Sequence, residues 1–89
     1  MVQVRIERWQ QEDGPLTEKR LMAAIEREGY EVALHVYREG TVFPEHEHAR
    51  DKCDAVLEGV LRVLVGDACY DLKPGDRLYL PAVRTPVEA

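Results

Sequence analysis

The chain predicts an all-β domain, mainly β with one short helix, folded as an antiparallel sandwich or barrel. Three observations carry that expectation. Short apolar segments of period two recur along the chain, turn signals separate them at roughly eight- to twelve-residue intervals, and only one stretch has helical spacing.

The first strand opens the chain, where Val2, Val4 and Ile6 alternate with Gln3, Arg5 and Glu7 and Trp9 lies just beyond. Such alternation places one apolar row on a core and one polar row outside. Gln10 to Pro15 breaks the pattern. From Thr17, an N-cap residue followed by Glu18 at the positive end of a helix dipole, Leu21, Ala24 and Ile25 recur at helical spacing. Gly29 stands where a helix stops. The expected helix is an amphipathic cover over a sheet, with Glu26, Arg27 and Glu28 on its solvated face.

Beyond Gly29, Val32, Leu34 and Val36 alternate with Ala33, His35 and Tyr37, which predicts a strand from Tyr30 to Tyr37. His35 reads as a structural or surface residue rather than a ligand. Glu39 and Gly40 make a turn, and Thr41 to His48 returns as a strand interrupted by Pro44. Proline cannot donate to a ladder, so this segment lies at an edge or carries a bulge.

Val60 to Val65, Gly66-Asp67 and Ala68 to Leu72 form a hairpin whose two-residue turn begins with glycine, the type II′ chemistry. Pairing Val65 with Ala68 puts Leu61, Val63, Val65, Ala68, Tyr70 and Leu72 on the core face. Val60, Arg62, Leu64, Cys69 and Asp71 share the other face, apolar enough to predict partial cover by a helix or a partner subunit. Lys73-Pro74-Gly75-Asp76 fits a type II turn, and Leu78 to Leu80 is the last clear strand.

Composition narrows the function. With 89 residues the chain is one domain with a modest core, because a chain this short removes only about 60–65% of its unfolded surface from water. Self-association would therefore help it. Twelve Lys and Arg stand against 17 Asp and Glu, a net charge of −5 without a basic cluster, so the electrostatic footprint of a nucleic-acid binder is missing. No run approaches the roughly 18 apolar residues of a membrane span, and the amino terminus is strand-like rather than a signal peptide. These features predict a soluble, cytoplasmic protein with no nucleic-acid or membrane partner. Cys53 and Cys69 fit neither CxxC nor a disulfide scaffold and read as reduced thiols. The absence of Ser and Asn excludes a serine triad and N-glycosylation. The charge-rich, Arg-favouring composition with few amides fits a thermophilic source, and a biased genome composition produces the same pattern.

The segment GTVFPEHEHARDKCDAVLEG, Gly40 to Gly59, is similar to the first motif of the cupin family, G(x)5HxH(x)3E(x)6G, at every spacing. Lys52 stands where the family has Glu. KPGDRLYLPA, Lys73 to Ala82, resembles the second motif, a PG(D) turn followed by an apolar strand ending in Pro. The resemblance covers roughly half the chain. It implies a small single-domain cupin, a jelly-roll-like double-stranded β-barrel, commonly a homodimer, with a site in the barrel mouth. On that reading residues 1–29 form a strand and helix covering the barrel, and residues 30–89 form the barrel.

Metal-binding cupins use three His and one Glu, and the carry-over assigns His46 and His48 as the first two ligands. Residues i and i+2 of a strand project to one side roughly 6–7 Å apart, so two imidazoles can converge on one ion. Lys52 replaces the carboxylate, and no histidine follows His48. A Zn, Mn, Fe or Ni centre generally needs three or four protein donors, so the metal set is partial. The family also continues for further strands past the second motif. Here the barrel is closed by an amino-terminal strand or a neighbouring subunit, or the chain is a shortened form.

In a regular strand, Lys52 and Asp54 share a face with His48, and Asp54 or Asp51 can pair with the ammonium. That lysine either fixes local geometry, or joins the His pair in receiving an anionic ligand, or is catalytic. Cys53 faces away from the His pair unless a bulge intervenes and turns it into a soft ligand. Three functions follow: a small-molecule-binding cupin with His46, His48 and Lys52 at its pocket, a metal-dependent oxygenase or isomerase, and a structural module with a filled barrel. Whether the chain is an enzyme stays open among them, and binding ranks first.

Overall fold

A computed structural model of the chain describes residues 4–40, 43–44 and 50–82. Its elements in order are β1 (Arg5–Glu7), a 3-10 turn (Gln11–Asp13), α1 (Glu18–Glu26), β2 (Phe43–Pro44), β3 (Lys52–Ala55), β4 (Leu61–Val65), β5 (Ala68–Leu72) and β6 (Arg77–Leu80). The fold is mainly β with one short helix. The strands make two three-stranded sheets, ordered β1-β6-β3 and β2-β4-β5.

The first sheet is antiparallel, with Ile6 opposite Leu78 on one side of β6 and Asp54 opposite Leu78 on the other. Strand β6 is thus central, and all four of its residues are buried. The turn before it carries the expected type II geometry. Gly75 has φ +88°, and the Asp76 amide donates to the Lys73 carbonyl at 2.9 Å. The Asp76 carboxylate closes the same turn by accepting from the Lys73 amide at 2.9 Å, and it accepts from Arg8 Nη1 at 2.8 Å.

In the second sheet β4 and β5 form the expected hairpin, with Val65 opposite Ala68 and Leu61 opposite Leu72. Gly66 has φ +58° while Asp67 keeps a negative φ, as a type II′ turn requires and a type I′ turn forbids. Val63 and Leu72 are buried on the inner face, although Ala68, beside the turn, is exposed.

The core lies between the sheets. Val56, Val63, Leu72, Leu78 and Leu80 form it, and Val4, Ile6, Leu61, Val65 and Tyr70 pack against it. Leu21, Ala24 and Ile25 of α1 are buried outside that cluster. Alternation along β6 puts Arg77 and Tyr79 on the face opposite Leu78 and Leu80, and Glu28 at the foot of α1 bonds to Tyr79. The helix therefore lies over the outer face of the first sheet. Its start is the expected one, with the Thr17 hydroxyl accepting from the Arg20 amide at 3.1 Å. The chain leaves it through Gly29 at φ +96°.

Four expectations need correction. Residues 30–38 form no strand, and Leu34, Val36 and Tyr37 are exposed. Alternation sets which side chains would share a face but does not by itself make a segment pair, and neither sheet takes these residues as a strand. Second, β2 pairs with β4 in parallel, Phe43 opposite Val63, where antiparallel pairing was expected. The intervening chain crosses to the first sheet as β3 and returns, which is the crossover a parallel pair requires. The edge position expected for Pro44 does hold, since β2 borders its sheet among the described residues. Third, no closed barrel forms among the described residues, because no strand is shared between the two sheets. Fourth, α1 leaves the outer face of the hairpin uncovered, and Val60 and Leu64 are 68% and 37% exposed.

Candidate functional site

Of the sequence-predicted site residues, Lys52 stands at one end of the first sheet, where β3 begins and β6 ends. Lys52 pairs opposite Leu80 and Asp54 opposite Leu78, so both side chains project from the inner, core-facing side. The Lys52 ammonium lies 3.6 Å from the Asp54 carboxylate, with the lysine side chain 45% exposed and the aspartate 20%. Lys52 therefore sits at the rim rather than in a closed interior. His46 and His48 lie outside the described residues. His35 is exposed, with its ring stacked on Tyr37 at 5.9 Å.

Strand β3 runs one residue to one against β6 with no bulge, which places Cys53 opposite Tyr79 on the outer face. There burial, then the charge of Asp54, pushes the thiol up to about 11. On that face Cys53 points away from Lys52, so it does not stand in for the carboxylate missing from the metal set. Among the described residues no group of three or more His, Cys, Asp or Glu is placed to hold a metal ion. The described donors thus do not fit a metal centre.

The outer face of the same sheet end carries a polar cluster that no local pattern announces. The Tyr79 hydroxyl donates to the Glu28 carboxylate in a short hydrogen bond. Arg5 lies 4.0 Å above the Tyr79 ring and donates to Glu7 at 2.7 Å and to Glu28 at 3.3 Å. Arg77, almost fully buried, reaches Glu7 at 3.9 Å and lies 5.7 Å from the Trp9 ring, while its Nε makes no hydrogen bond among the described residues. Glu28 was expected on a solvated helix face. Instead its carboxyl is held below the ordinary range by the Tyr79 hydrogen bond first and by Arg5 next. Burial, then donation to Glu28, raises the Tyr79 phenol, so it acts as a donor and not as a base near neutrality.

Beside this cluster is an open cleft of ≈ 400 Å³. It is bordered by Val4, Arg5, Tyr30, Asp51, Tyr79, Leu80 and Pro81, of which Leu80 has its side chain buried in the core. Tyr30 and Tyr79 are tilted at 48° with ring centres 5.9 Å apart. The Asp51 carboxylate accepts from the Ala82 amide at 2.8 Å, tying the exit of β6 to the entry of β3. None of Arg5, Tyr30 and Tyr79 carries a sequence signature, because they meet only through tertiary packing.

No family model, curated protein or solved structure matches the chain. No helix among the described residues is long and apolar enough to cross a membrane.

Proposed function

We propose that the chain is a small cupin-type binding domain that takes a small anionic ligand at the inner rim of its sheets, using Lys52 with His46 and His48. The observation that carries this reading is the register of β3 on β6, which puts a partly exposed ammonium beside Leu80 on the core-facing side. An ammonium that keeps water contact stays charged and can exchange part of its Asp54 pairing for a ligand carboxylate. The two histidines that the family resemblance assigns to the same mouth precede it closely in the chain. The modest core and the exposed Val60, Leu64 and Cys69 favour a homodimer, checked by sedimentation. Both cysteines are free, which favours a reducing, cytoplasmic setting.

A thermal-shift panel of small carboxylates and sugar acids tests the reading. The expected result is a concentration-dependent rise in Tm that is reduced in Lys52→Met and in a His46→Ala, His48→Ala double variant. A panel without any rise, on protein that unfolds cooperatively, overturns it. Metal analysis on protein purified without chelator decides against it in another way: near-stoichiometric metal, lost in the double histidine variant, makes the metal-dependent enzyme the better reading.

A further inference from the structure

We propose that the cleft on the outer side of the first sheet binds an organic cation, an ammonium carried on an aromatic or alkyl body. The ammonium is placed on the Asp51 carboxylate and the body against Tyr30 and Pro81. This site is separate from the Lys52 rim, since Lys52 does not line the cleft and projects to the other face of the sheet.

Charge decides the sign of the ligand. Arg5 is the cation in the cleft wall, and its guanidinium already faces two carboxylates, Glu7 at 2.7 Å and Glu28 at 3.3 Å. An incoming anion would meet those carboxylates as well as Arg5. Asp51 adds a further negative charge, and the contact that holds it in place, the Ala82 amide at 2.8 Å, is a neutral donor that leaves this charge in the wall. The aromatic surface points the same way. Tyrosine faces are electron-rich and attract cations, and Arg5 lying 4.0 Å above Tyr79 is an internal example on this very wall. The volume, ≈ 400 Å³, lies within the range of small-molecule sites, and Tyr30 and Pro81 offer an apolar body its surface.

The test titrates the full chain with three probes of similar size, followed by backbone amide NMR at neutral pH: benzylamine as the cation, benzyl alcohol as the neutral analogue and benzoate as the anion. The expected result is saturable benzylamine shifts at Tyr30, Asp51 and Ala82, with benzyl alcohol weaker by about three- to fivefold and benzoate weaker still. Asp51→Asn keeps an oxygen to accept from the Ala82 amide while removing the charge. In that variant benzylamine and benzyl alcohol are expected to bind alike, and Tyr30→Leu is expected to weaken benzylamine about threefold. Benzoate binding as tightly as benzylamine at these residues, benzylamine that never saturates, or Asp51→Asn with benzylamine affinity unchanged would each overturn the proposal. Failure of the Lys52 reading is separately visible, because it is measured with anions and with Lys52 and histidine variants.

Discussion

Tyr79, in the central strand of the first sheet, donates its hydroxyl proton to the carboxylate of Glu28, 51 residues earlier at the foot of the helix. The tyrosine is buried and its ring also supports Arg5, so one side chain joins helix, β1 and β6. Tyr79→Phe keeps the ring and removes the bond. It is expected to lower stability by about 1 kcal/mol, or about 4–8 °C in Tm for a domain of this size. Equilibrium urea unfolding measures it, and a midpoint unchanged from wild type would show that the bond only replaces one made to water.

The same bond makes stability depend on pH in a definite direction. Glu28 is held below its ordinary value of 4.5, first by Tyr79 and then by Arg5. The unfolded chain therefore takes up this proton before the folded chain does. Its contribution is fully present above the unfolded value and is lost as pH falls through the lowered folded one. Below about pH 5, wild type is expected to lose urea stability more steeply than Glu28→Gln, which has no proton to take up there. Parallel acid limbs in the two proteins would remove Glu28 from the account.

Gly75 answers to two constraints at once. Its φ of +88° is one that only glycine adopts without strain, and a Cβ there would overlap the Cβ of Trp9. Gly59 shares the positive φ, at +81°, but faces open space. Gly59→Ala should thus cost only the backbone term, about 1 kcal/mol, while Gly75→Ala should cost about 1–3 kcal/mol more. Because the overlap is with the tryptophan's own Cβ, Trp9→Ala is not expected to rescue Gly75→Ala, whereas Trp9→Gly is expected to do so in part. Chemical denaturation of the four variants separates these outcomes, and rescue by Trp9→Ala would locate the clash in the indole instead.

What could be read from the sequence is what neighbours in the chain decide. Gly66-Asp67 and the alternation around it set the hairpin register to the residue, Pro74-Gly75 set the turn before β6, and Thr17 set the start of α1. The Lys52–Asp54 pair is legible for the same reason, since two residues on one strand share a face. Residues 30–38 have the right alternation and still form no strand, because alternation fixes faces while pairing is decided by tertiary packing. The cluster of Arg5, Glu28 and Tyr79 was hidden likewise: its members sit on three elements, and Glu28 by spacing alone belongs to a wet helix face. His46 and His48, the centre of the sequence argument, lie outside the described residues, so their part rests on the family resemblance.

The two cysteines offer a direct readout of which face of β3 meets solvent. Cys53 sits half-buried opposite Tyr79, with its thiol pushed up to about 11 by burial and by the charge of Asp54, whereas Cys69 is exposed on the outer face of the hairpin. Alkylation needs both access and thiolate, and Cys53 is short of each near pH 8. Iodoacetamide at that pH is expected to modify Cys69 at least about tenfold faster, with the Cys53 rate climbing as pH approaches its raised value. Peptide mapping of timed reactions reads both rates. Equal rates in the wild-type protein would mean that Cys53 is open to reagent and that the burial assigned to the outer face of β3 is wrong.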